Sequence, residues 1–401
     1  MFSTLKPVKT DPILGLMAAF REDRNPLKVD LGVGVYRDEQ GHTGILDCVK
    51  TAERYRLENE TTKTYVGMAG DEGFNQRMAG LMLGEDHTVL AARRLRTVQA
   101  PGGTGALRVA AEFIKRCNAN SVIWVSTPTW ANHLDLFSAA GMAVREYPYY
   151  DYQNHGLLFD DMMTSLEQAG KDDIVLLHAC CHNPSGMDLS REQWGQVCDL
   201  AKAKGFTPLI DMAYQGFGDG LAEDAYGVRL LAENLPELIV CTSCSKNFGL
   251  YRERTGACNV ITKDEKNADI AFGVLQNTVR GIYSMPPAHG AVIVNTILSS
   301  SELTAQWEAE LAVMRNRING LRGLIAERLN AAQSVQDFSF INQQKGMFSF
   351  LGITHAQVEA LRRDYSIYMV GSSRMNVAGI SDANIDYFAK SVANVLEQGS
   401  V

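Results

Sequence analysis

Short apolar segments alternate with helical patterns through the middle of this 401-residue chain, and this alternation restricts the fold more than any other feature. The segments are rich in Val, Ile and Leu, as strands buried on both faces of a sheet usually are. Helical patterns such as Ala106–Cys117 and Arg191–Lys204 fall between some of them. The pattern predicts an α/β domain with a mostly parallel sheet. Its predicted strands are Ser121–Val125, Ile174–Leu177, Pro208–Ile210, Leu238–Val240 and Cys258–Ile261.

A second pattern begins after residue 300. Apolar residues recur every three or four positions from Leu303 to Leu329, which predicts one long amphipathic helix. The strand-like Gly346–Leu351 and a helical pattern near Ala383–Leu396 follow it. We therefore expect a smaller α+β domain at the C-terminal end, joined to the larger one by the long helix.

Composition narrows the class of protein. The apolar fraction is 46%, the charged fraction is 21% and the net charge is −8, with both signs interspersed, which argues against a broad nucleic-acid or anionic-membrane surface. The first residues lack the pattern of a signal peptide, and no apolar run approaches the length of a membrane span. A cytoplasmic location is the expectation.

The cysteines and histidines do not form a recognisable metal or disulfide pattern. Eight cysteines in 401 residues are too few for a disulfide scaffold, and Cys241-x-x-Cys244 has no second pair to complete a zinc site. His178 and His182 are four residues apart, but Pro184 and the preceding strand argue against one helix presenting both to a metal. We expect no metal.

The stretch 241–256, C-T-S-C-S-K-N-F-G-L-Y-R-E-R-T-G, places Lys246 directly after a predicted buried strand. A lysine is costly to bury, although a surface position in a polar loop is the alternative. Desolvation and nearby positive charge lower the pKa of an ammonium group and free the amine for carbonyl chemistry. Ser243 and Arg254 add donors suited to a phosphate. The stretch predicts a site for pyridoxal phosphate (PLP), bound to Lys246 as a Schiff base.

Three further segments meet the demands of that cofactor. Gly102–Gly105 precedes a helix and can offer backbone N–H groups to a phosphate, although a tight turn or a dinucleotide loop is the alternative; G-x-G-x-x-G is absent. Asp211, at a predicted strand end, suits the pyridine nitrogen, while Tyr214 and Asn183 are donors for the ring oxygen. Trp130 offers a face for stacking. Each of these alone is more often structural, but their order along the chain favours one site.

Several longer motifs point to a family. They are G-G-T-G-A-L-R, C-C-H-N-P-S-G, D-M-A-Y-Q-G-F, S-x-S-K-N-F-G-L-Y-x-E-R, P-P-A-H-G and S-S-R-M-N-V-A-G. From Asp11 to the C-terminus the chain resembles class I aminotransferases of PLP fold type I, in the aspartate/aromatic amino-acid subgroup. The resemblance implies a seven-stranded, mostly parallel sheet in a large domain over residues 44–312. Residues 1–43 and 313–401 would form the N-terminal arm and small domain.

The resemblance also implies roles for the cofactor residues. Lys246 would hold the cofactor and move the substrate Cα proton, with Asp211 and Tyr214 as its catalytic partners. His133 resembles a supporting residue behind Trp130, with simple packing as the alternative. The implied cofactor-binding set is Lys246, Gly103, Thr104, Trp130, Asn183, Asp211, Tyr214, Ser243, Arg254 and, from the neighbouring subunit, Tyr65.

For the substrate, the resemblance implies that Arg374 binds the α-carboxylate, with Gly34 contributing its backbone. Arg280 of a partner subunit would bind the distal carboxylate of a dicarboxylic substrate. Trp130 and Asn183 complete the implied substrate-binding set. Met285 and Thr64 stand where aspartate-selective members carry Asn, whereas Val35, Arg37, Thr43 and Thr104 are aspartate-like. These mixed signals predict dicarboxylic substrates together with aromatic ones.

The implied reaction is ping-pong transfer of an amino group to 2-oxoglutarate in a homodimer with shared sites. Three alternatives remain at this point. The same scaffold also supports PLP-dependent lyases and synthases, the Gly-rich turn also fits a nicotinamide dehydrogenase, and a binding protein could retain PLP without turnover.

Overall fold

The computed structural model describes residues 2–4, 6 and 12–398, so Asp11 and several other residues of the predicted N-terminal arm lie outside the described residues. The chain forms two compact units, one from residues 44–316 and one from residues up to 43 together with those from 317 onward. The domain boundary at 312/313 derived from sequence stays a prediction.

The strands are short and fall into three sheets. In chain order they are β1 Val29–Asp30, β2 Leu95–Pro101, β3 Val122–Thr127, β4 Ala143–Pro148, β5 Ile174–His178, β6 Thr207–Met212, β7 Leu238–Ser243, β8 Thr255–Ile261, β9 Phe348–Phe350, β10 Ile367–Tyr368 and β11 Arg374–Asn376. The larger unit holds a seven-stranded sheet in the order β2-β8-β7-β6-β5-β3-β4. Only β8 runs against the others, since it pairs antiparallel with both β2 and β7.

Helices connect these strands. They are α1 Pro12–Glu22, α2 Asp47–Asn59, α3 Glu72–Leu83, α4 Thr88–Ala91, α5 Gly102–Cys117, α6 Ala131–Ala139, α7 Phe159–Leu166, α8 Arg191–Lys204, α9 Tyr226–Asn234, α10 Glu265–Ile282, α11 Ala288–Ser299, α12 Ser301–Ala332, α13 His355–Tyr365 and α14 Ile385–Gln398. Local signals explain several bounds. The side chains of Ser190 and Gln193 form a capping box at the start of α8, and Gly205 ends that helix in the left-handed conformation.

One face of the sheet packs on α5 and α10 through a buried apolar core. Ile123, Ile174, Leu209, Ile239 and Val260, one from each of five strands, belong to this core. Because alternate residues of a strand point to the same face, the residues two positions before them face the same helices. The packing of this core therefore determines which strand residues face α5 and α10 at the two ends of the strands.

The smaller unit contains two two-stranded sheets. The β1 strand pairs parallel with β10, and β11 pairs antiparallel with β9. The helices α1, α13 and α14 and the second part of α12 also belong to this unit. Among the described residues, no helix has both the length and the apolar character needed to cross a membrane.

The five strands predicted from sequence and the long helix α12 are confirmed, with bounds shifted by up to three residues. The strands β2 and β4 were missed. Both lie at edges of the sheet and carry polar or charged residues such as Gln99, Arg145 and Glu146. These polar and charged residues interrupt the continuous apolar run that marks a central strand, although β2 is itself mostly buried and only β4 is largely exposed.

Candidate active site

The parallel strands β3, β5, β6 and β7 end at the same edge of the central sheet, and the predicted cofactor residues cluster there. His178 pairs with Asp211 in the β5–β6 register, and Ser243 is the last residue of β7. In open α/β sheets, the carboxyl ends of the strands are where ligands bind. The fold therefore brings Asp211, from β6, to the same edge of the sheet as Ser243 and Lys246, which come from β7 and the turn after it.

Lys246 follows β7 in a half-buried position. Burial lowers the pKa of its amine to about 8; Asp211 opposes this shift and Arg254 reinforces it. Its Nζ lies 4.9 Å from the centroid of the Tyr214 ring. The uncharged, nucleophilic form is thus far more accessible here than for an exposed lysine.

Asp211 is a buried carboxylate at the end of β6, and its Oδ2 lies 2.9 Å from Nε2 of His133. Burial alone would raise the pKa of this carboxyl. The hydrogen bond and charge of His133, together with Lys246, outweigh that effect, and the pKa lies below its ordinary value. A lasting negative charge at this position suits a protonated ring nitrogen.

A buried hydrogen-bond chain extends behind Asp211. The Thr129 hydroxyl lies 2.8 Å from Nδ1 of His133 and 3.3 Å from Nε2 of His178. Burial lowers the pKa of His178 to about 3, so that ring is neutral near pH 7. The His182 ring lies tilted against His178 with 4.1 Å between centroids, and its Nε2 lies 3.0 Å from the Ser126 hydroxyl. The chain holds the His133 ring that supports Asp211.

Sequence reasoning missed Thr129 and assigned no role to His178. The available signal was that His178 ends a predicted strand next to the one that ends at Asp211. Strand order is needed to use that signal, because adjacency in a sheet is not visible along the chain.

A second cluster forms an anion cradle at the start of α5. The sequence placed Gly102–Gly105 before the helix, but the helix begins at Gly102, so these residues form its first turn. A Cβ added at Gly102 would lie 2.5 Å from Nη2 of Arg254, and one at Gly103 would lie 3.2 Å from Cβ of Ser243. The unpaired N–H groups of this first turn, which includes Thr104, therefore converge with Ser243 and Arg254, as a phosphate requires.

Asn183 and Trp130 complete this edge. Asn183 is 7% exposed, and its buried Oδ1 has no hydrogen-bond partner among the described residues. Trp130 follows β3 and meets the His133 ring edge-on, with 5.2 Å between centroids. A buried amide oxygen left without a partner is costly, and a donor on a bound ligand could satisfy it. The cradle suits a phosphate, and the Asp211 carboxylate suits a protonated ring nitrogen. The residues present thus fit PLP.

Tyr65, Arg280 and Met285 lie elsewhere in the larger unit. Tyr65 is 91% exposed, and Arg280, near the end of α10, donates from Nη1 to the Ser284 hydroxyl. Met285, Thr64 and Tyr65 line one open cavity of about 650 Å³. Among the described residues, no hydrogen bond or ion pair joins Tyr65 or Arg280 to Lys246 or Asp211.

Gly34 and Arg374 lie in the smaller unit, and both are close to the Phe348 ring. Arg374 is 6% exposed, donates from Nη2 to the Gly32 carbonyl at 2.6 Å and lies 4.5 Å from the centroid of the Phe348 ring. A Cβ at Gly34 would come within 2.8 Å of the same ring. Phe348 therefore orients the guanidinium and requires glycine at position 34.

None of the eight cysteines, all of which are described, forms a disulfide. Cys241 pairs with Cys258 across β7 and β8, while the Cys244 sulfur packs 3.8 Å from the Met78 sulfur, so the C-x-x-C pair serves two separate contacts. The ligand atoms of Cys180, Cys181 and Asp224 lie within 4.8 Å of one another. The Asp224 carboxylate already accepts three backbone N–H groups and holds the 216–224 turn.

Comparison with known proteins identifies the family of this chain. Residues 26–392 match the family described as aminotransferase class I and II. The chain is 48% identical to the aspartate aminotransferase of Escherichia coli (strain K12) over 99% of its own length and 100% of that protein. It superposes with a TM-score of 0.97 and 44% identity on the Burkholderia pseudomallei aromatic-amino-acid aminotransferase covalently bound to PLP, covering 99% of each chain.

A third relative is the psychrophilic aromatic amino-acid aminotransferase of Psychrobacter sp. B6, crystallised with aspartic acid. It is 42% identical, with a TM-score of 0.97, and the match covers 99% of this chain and 100% of that one. The chain belongs to the class I and II aminotransferase family. It is an enzyme of amino-group transfer, and its cofactor is PLP.

Proposed function

We propose that this enzyme transfers the amino group of aspartate and of aromatic amino acids (phenylalanine, tyrosine and tryptophan) to 2-oxoglutarate by a ping-pong mechanism. The observation that carries the proposal is the Lys246 amine, whose pKa is about 8, beside a buried Asp211 carboxylate. The relatives support both substrate classes. One is named aspartate aminotransferase, and another, named for aromatic amino acids, was crystallised with aspartic acid. The compared relatives are aminotransferases, so a lyase or synthase activity has no support.

When bound, PLP supplies an aldehyde that condenses with amines and a ring that takes up the electrons of a broken Cα–H bond. Lys246 is proposed to hold the cofactor and then to move the proton at the substrate Cα. Asp211 keeps the ring nitrogen protonated, and His133 holds Asp211 in place. Tyr214 and Asn183 donate to the ring oxygen, and Trp130 covers the ring.

The remaining roles concern the anionic groups. Gly103, Thr104, Ser243 and Arg254 are proposed to bind the phosphate through the first turn of α5 and the adjoining donors. Arg374, oriented by Phe348, is proposed to bind the substrate α-carboxylate, with the Gly34 backbone beside it. Buried and stacked, its planar fork is prepared for a bidentate carboxylate pair.

The enzyme is proposed to act as a homodimer in the cytoplasm. Tyr65 is exposed almost completely, and large apolar residues such as Leu57 and Ile282 are exposed with it, which suits a surface that a second copy covers. Tyr65 is proposed to reach the partner's phosphate and Arg280 the partner's substrate. Eight described cysteines without a disulfide suit the reducing cytoplasm.

The function is tested by steady-state kinetics of the purified holoenzyme. Aspartate and phenylalanine, each with 2-oxoglutarate, should both give glutamate and the matching 2-oxo acid, with parallel double-reciprocal lines. Turnover of neither donor would refute the substrate proposal. Turnover of one alone would restrict it to that class.

Arg280→Ala is expected to lower kcat/KM for aspartate by roughly 30-fold to several thousand-fold, because a buried charge pair with the distal carboxylate is lost. Phenylalanine, which has no distal carboxylate, should lose much less. The measurement is the ratio of the two kcat/KM values, with the exposed Arg363→Ala as the control. Equal losses for both donors would place the distal-carboxylate site elsewhere.

Subunit mixing tests the shared site directly. Lys246→Ala and Arg280→Ala chains, refolded together in equal amounts, should recover about a quarter of wild-type aspartate activity, because half the dimers are hybrids with one complete site each. If Arg280 served its own subunit, neither site of a hybrid would be complete. Absence of recovery in hybrids isolated by affinity tags would therefore exclude the shared arrangement.

Met285→Asn is expected to raise the preference for aspartate over phenylalanine by about tenfold, because a polar amide strengthens contacts around a carboxylate and disfavours a ring. The ratio of kcat/KM values for the two donors is the measurement. Met285→Leu, which keeps the position apolar, should leave the ratio close to wild type. An unchanged ratio in Met285→Asn would remove this residue from the specificity argument.

A further inference from the structure

The central sheet has a second cavity at its other edge. The cavity measures about 300 Å³ and lies among the amino-terminal ends of the parallel strands, the end of α5 and the first half of α10. None of the proposed cofactor or substrate residues lines it. On β6, its Thr207 is four residues from Asp211, or about 13 Å at 3.3 Å per residue.

The walls of this cavity are apolar. They comprise Phe113, Ile114, Ile174, Ile239, Val260 and Val274, most of them buried. Apolar cavities of about 150 Å³ stay dry and bind benzene, so twice that volume accommodates two fused rings. The apolar walls select the body of a ligand, and the few polar groups select its substituent.

Two hydroxyl groups provide the polar part. Ser121 and Thr207 line the cavity on the strand face that carries Ile123 and Leu209, and neither side chain has a hydrogen-bond partner among the described residues. The other polar neighbours are engaged: Asn118 donates to Asp172, and Asn267 donates to Asp264. Ser121 is 5% exposed and lines the cavity, so its hydroxyl is available to a ligand there.

The charges around the opening indicate a neutral ligand. Lys171, Asp172 and Glu237 carry both signs and are exposed, so water screens them and no strong field of one sign is present. No charged residue is among the buried walls of this cavity as described. A charged ligand group would therefore be desolvated without a partner.

We propose that this cavity is a second binding site, which takes a small neutral aromatic molecule of about two rings carrying one N–H or O–H group. The ring body fills the apolar space, and the polar group bonds to Ser121 or Thr207. The site is independent of the substrate assignments made above, because it shares no residue with them.

Cys117 makes the proposal testable. Its thiol lines the opening, and it is the one exposed cysteine among the eight, all of which are described. Indole is the probe, and alkylation of Cys117 in the holoenzyme by iodoacetamide, followed by mass spectrometry, is the readout. At ten times its Kd, indole leaves about a tenth of sites free, so the alkylation rate should fall about tenfold. Indole bound in the active site would not protect this thiol.

Val274→Trp fills the cavity and should abolish the protection while leaving transamination unchanged. If that variant fails to fold, Ile270→Trp, at a position 59% exposed on the cavity lining, replaces it. Unchanged Cys117 alkylation in the wild type with indole at its solubility limit would overturn the proposal. Equal protection in the wild type and in a folded tryptophan variant would overturn it as well.

Discussion

Lys246→Ala is expected to lose transamination by at least about 10²- to 10⁴-fold, the usual loss when a general acid–base group is removed. The variant should still bind PLP, because the cradle at the start of α5, Arg254 and Asp211 are intact. No other amine can replace that of Lys246, because Lys246 is the one lysine among the described residues that influences the pKa of Asp211. The measurements are kcat with aspartate and phenylalanine, and PLP retention on dialysis.

A second readout separates a chemical role from a structural one. Borohydride treatment of the wild-type holoenzyme should fix the cofactor mass on the peptide containing Lys246, and the variant should show no such adduct. The exposed Lys263→Ala serves as the matched control and should behave as wild type. Near-normal turnover in Lys246→Ala would refute the assigned role.

Asp211→Asn is expected to lower kcat by about 10²- to 10³-fold, comparable to removing one preorganised electrostatic partner from a catalytic site. Asparagine keeps the shape and the contact with His133 but removes the negative charge that favours a protonated ring nitrogen. PLP should remain bound through the phosphate cradle. The measurement is kcat in single-turnover and steady-state assays of the holo variant.

The control for Asp211→Asn is Asp199→Asn, an exposed aspartate on α8. His133→Asn should give a smaller loss than Asp211→Asn, because His133 acts only by holding the carboxylate. A loss in Asp211→Asn below about threefold, which is less than 1 kcal/mol in activation free energy, would contradict the proposed pairing with the ring nitrogen.

Much of the site could be read from local patterns. Lys246 follows an apolar run and Asp211 ends another. Asp211 proved to lie near the end of β6 and Lys246 in the turn after β7, because short Val/Ile/Leu runs are a reliable mark of buried strands. Gly102–Gly105 was placed before a helix and proved to be its first turn, so the apolar period of 3.6 residues located the helix start to within one turn. The family motifs then named the cofactor, which the comparisons bear out.

Other features depended on neighbours that are distant in sequence. The link from Asp211 through His133 and Thr129 to His178 joins three chain segments. Edge strands β2 and β4 were missed because their polar residues hide the strand period. The cavity at the other edge of the sheet could not be predicted from the sequence either, because it depends on how α5 and α10 pack and not on any one segment.

The amino-acid sequence by itself determined the chemistry available to this protein: an amine after a buried strand, a carboxylate at another strand end and a glycine-rich helix start. These features can be predicted from short stretches, because the spacing of apolar residues and the presence of turn residues are visible within a few positions of the sequence. Only the tertiary structure decided which of these groups meet. Strand order places Asp211 between β5 and β7, and that order depends on long-range packing of apolar faces, which no local stretch encodes.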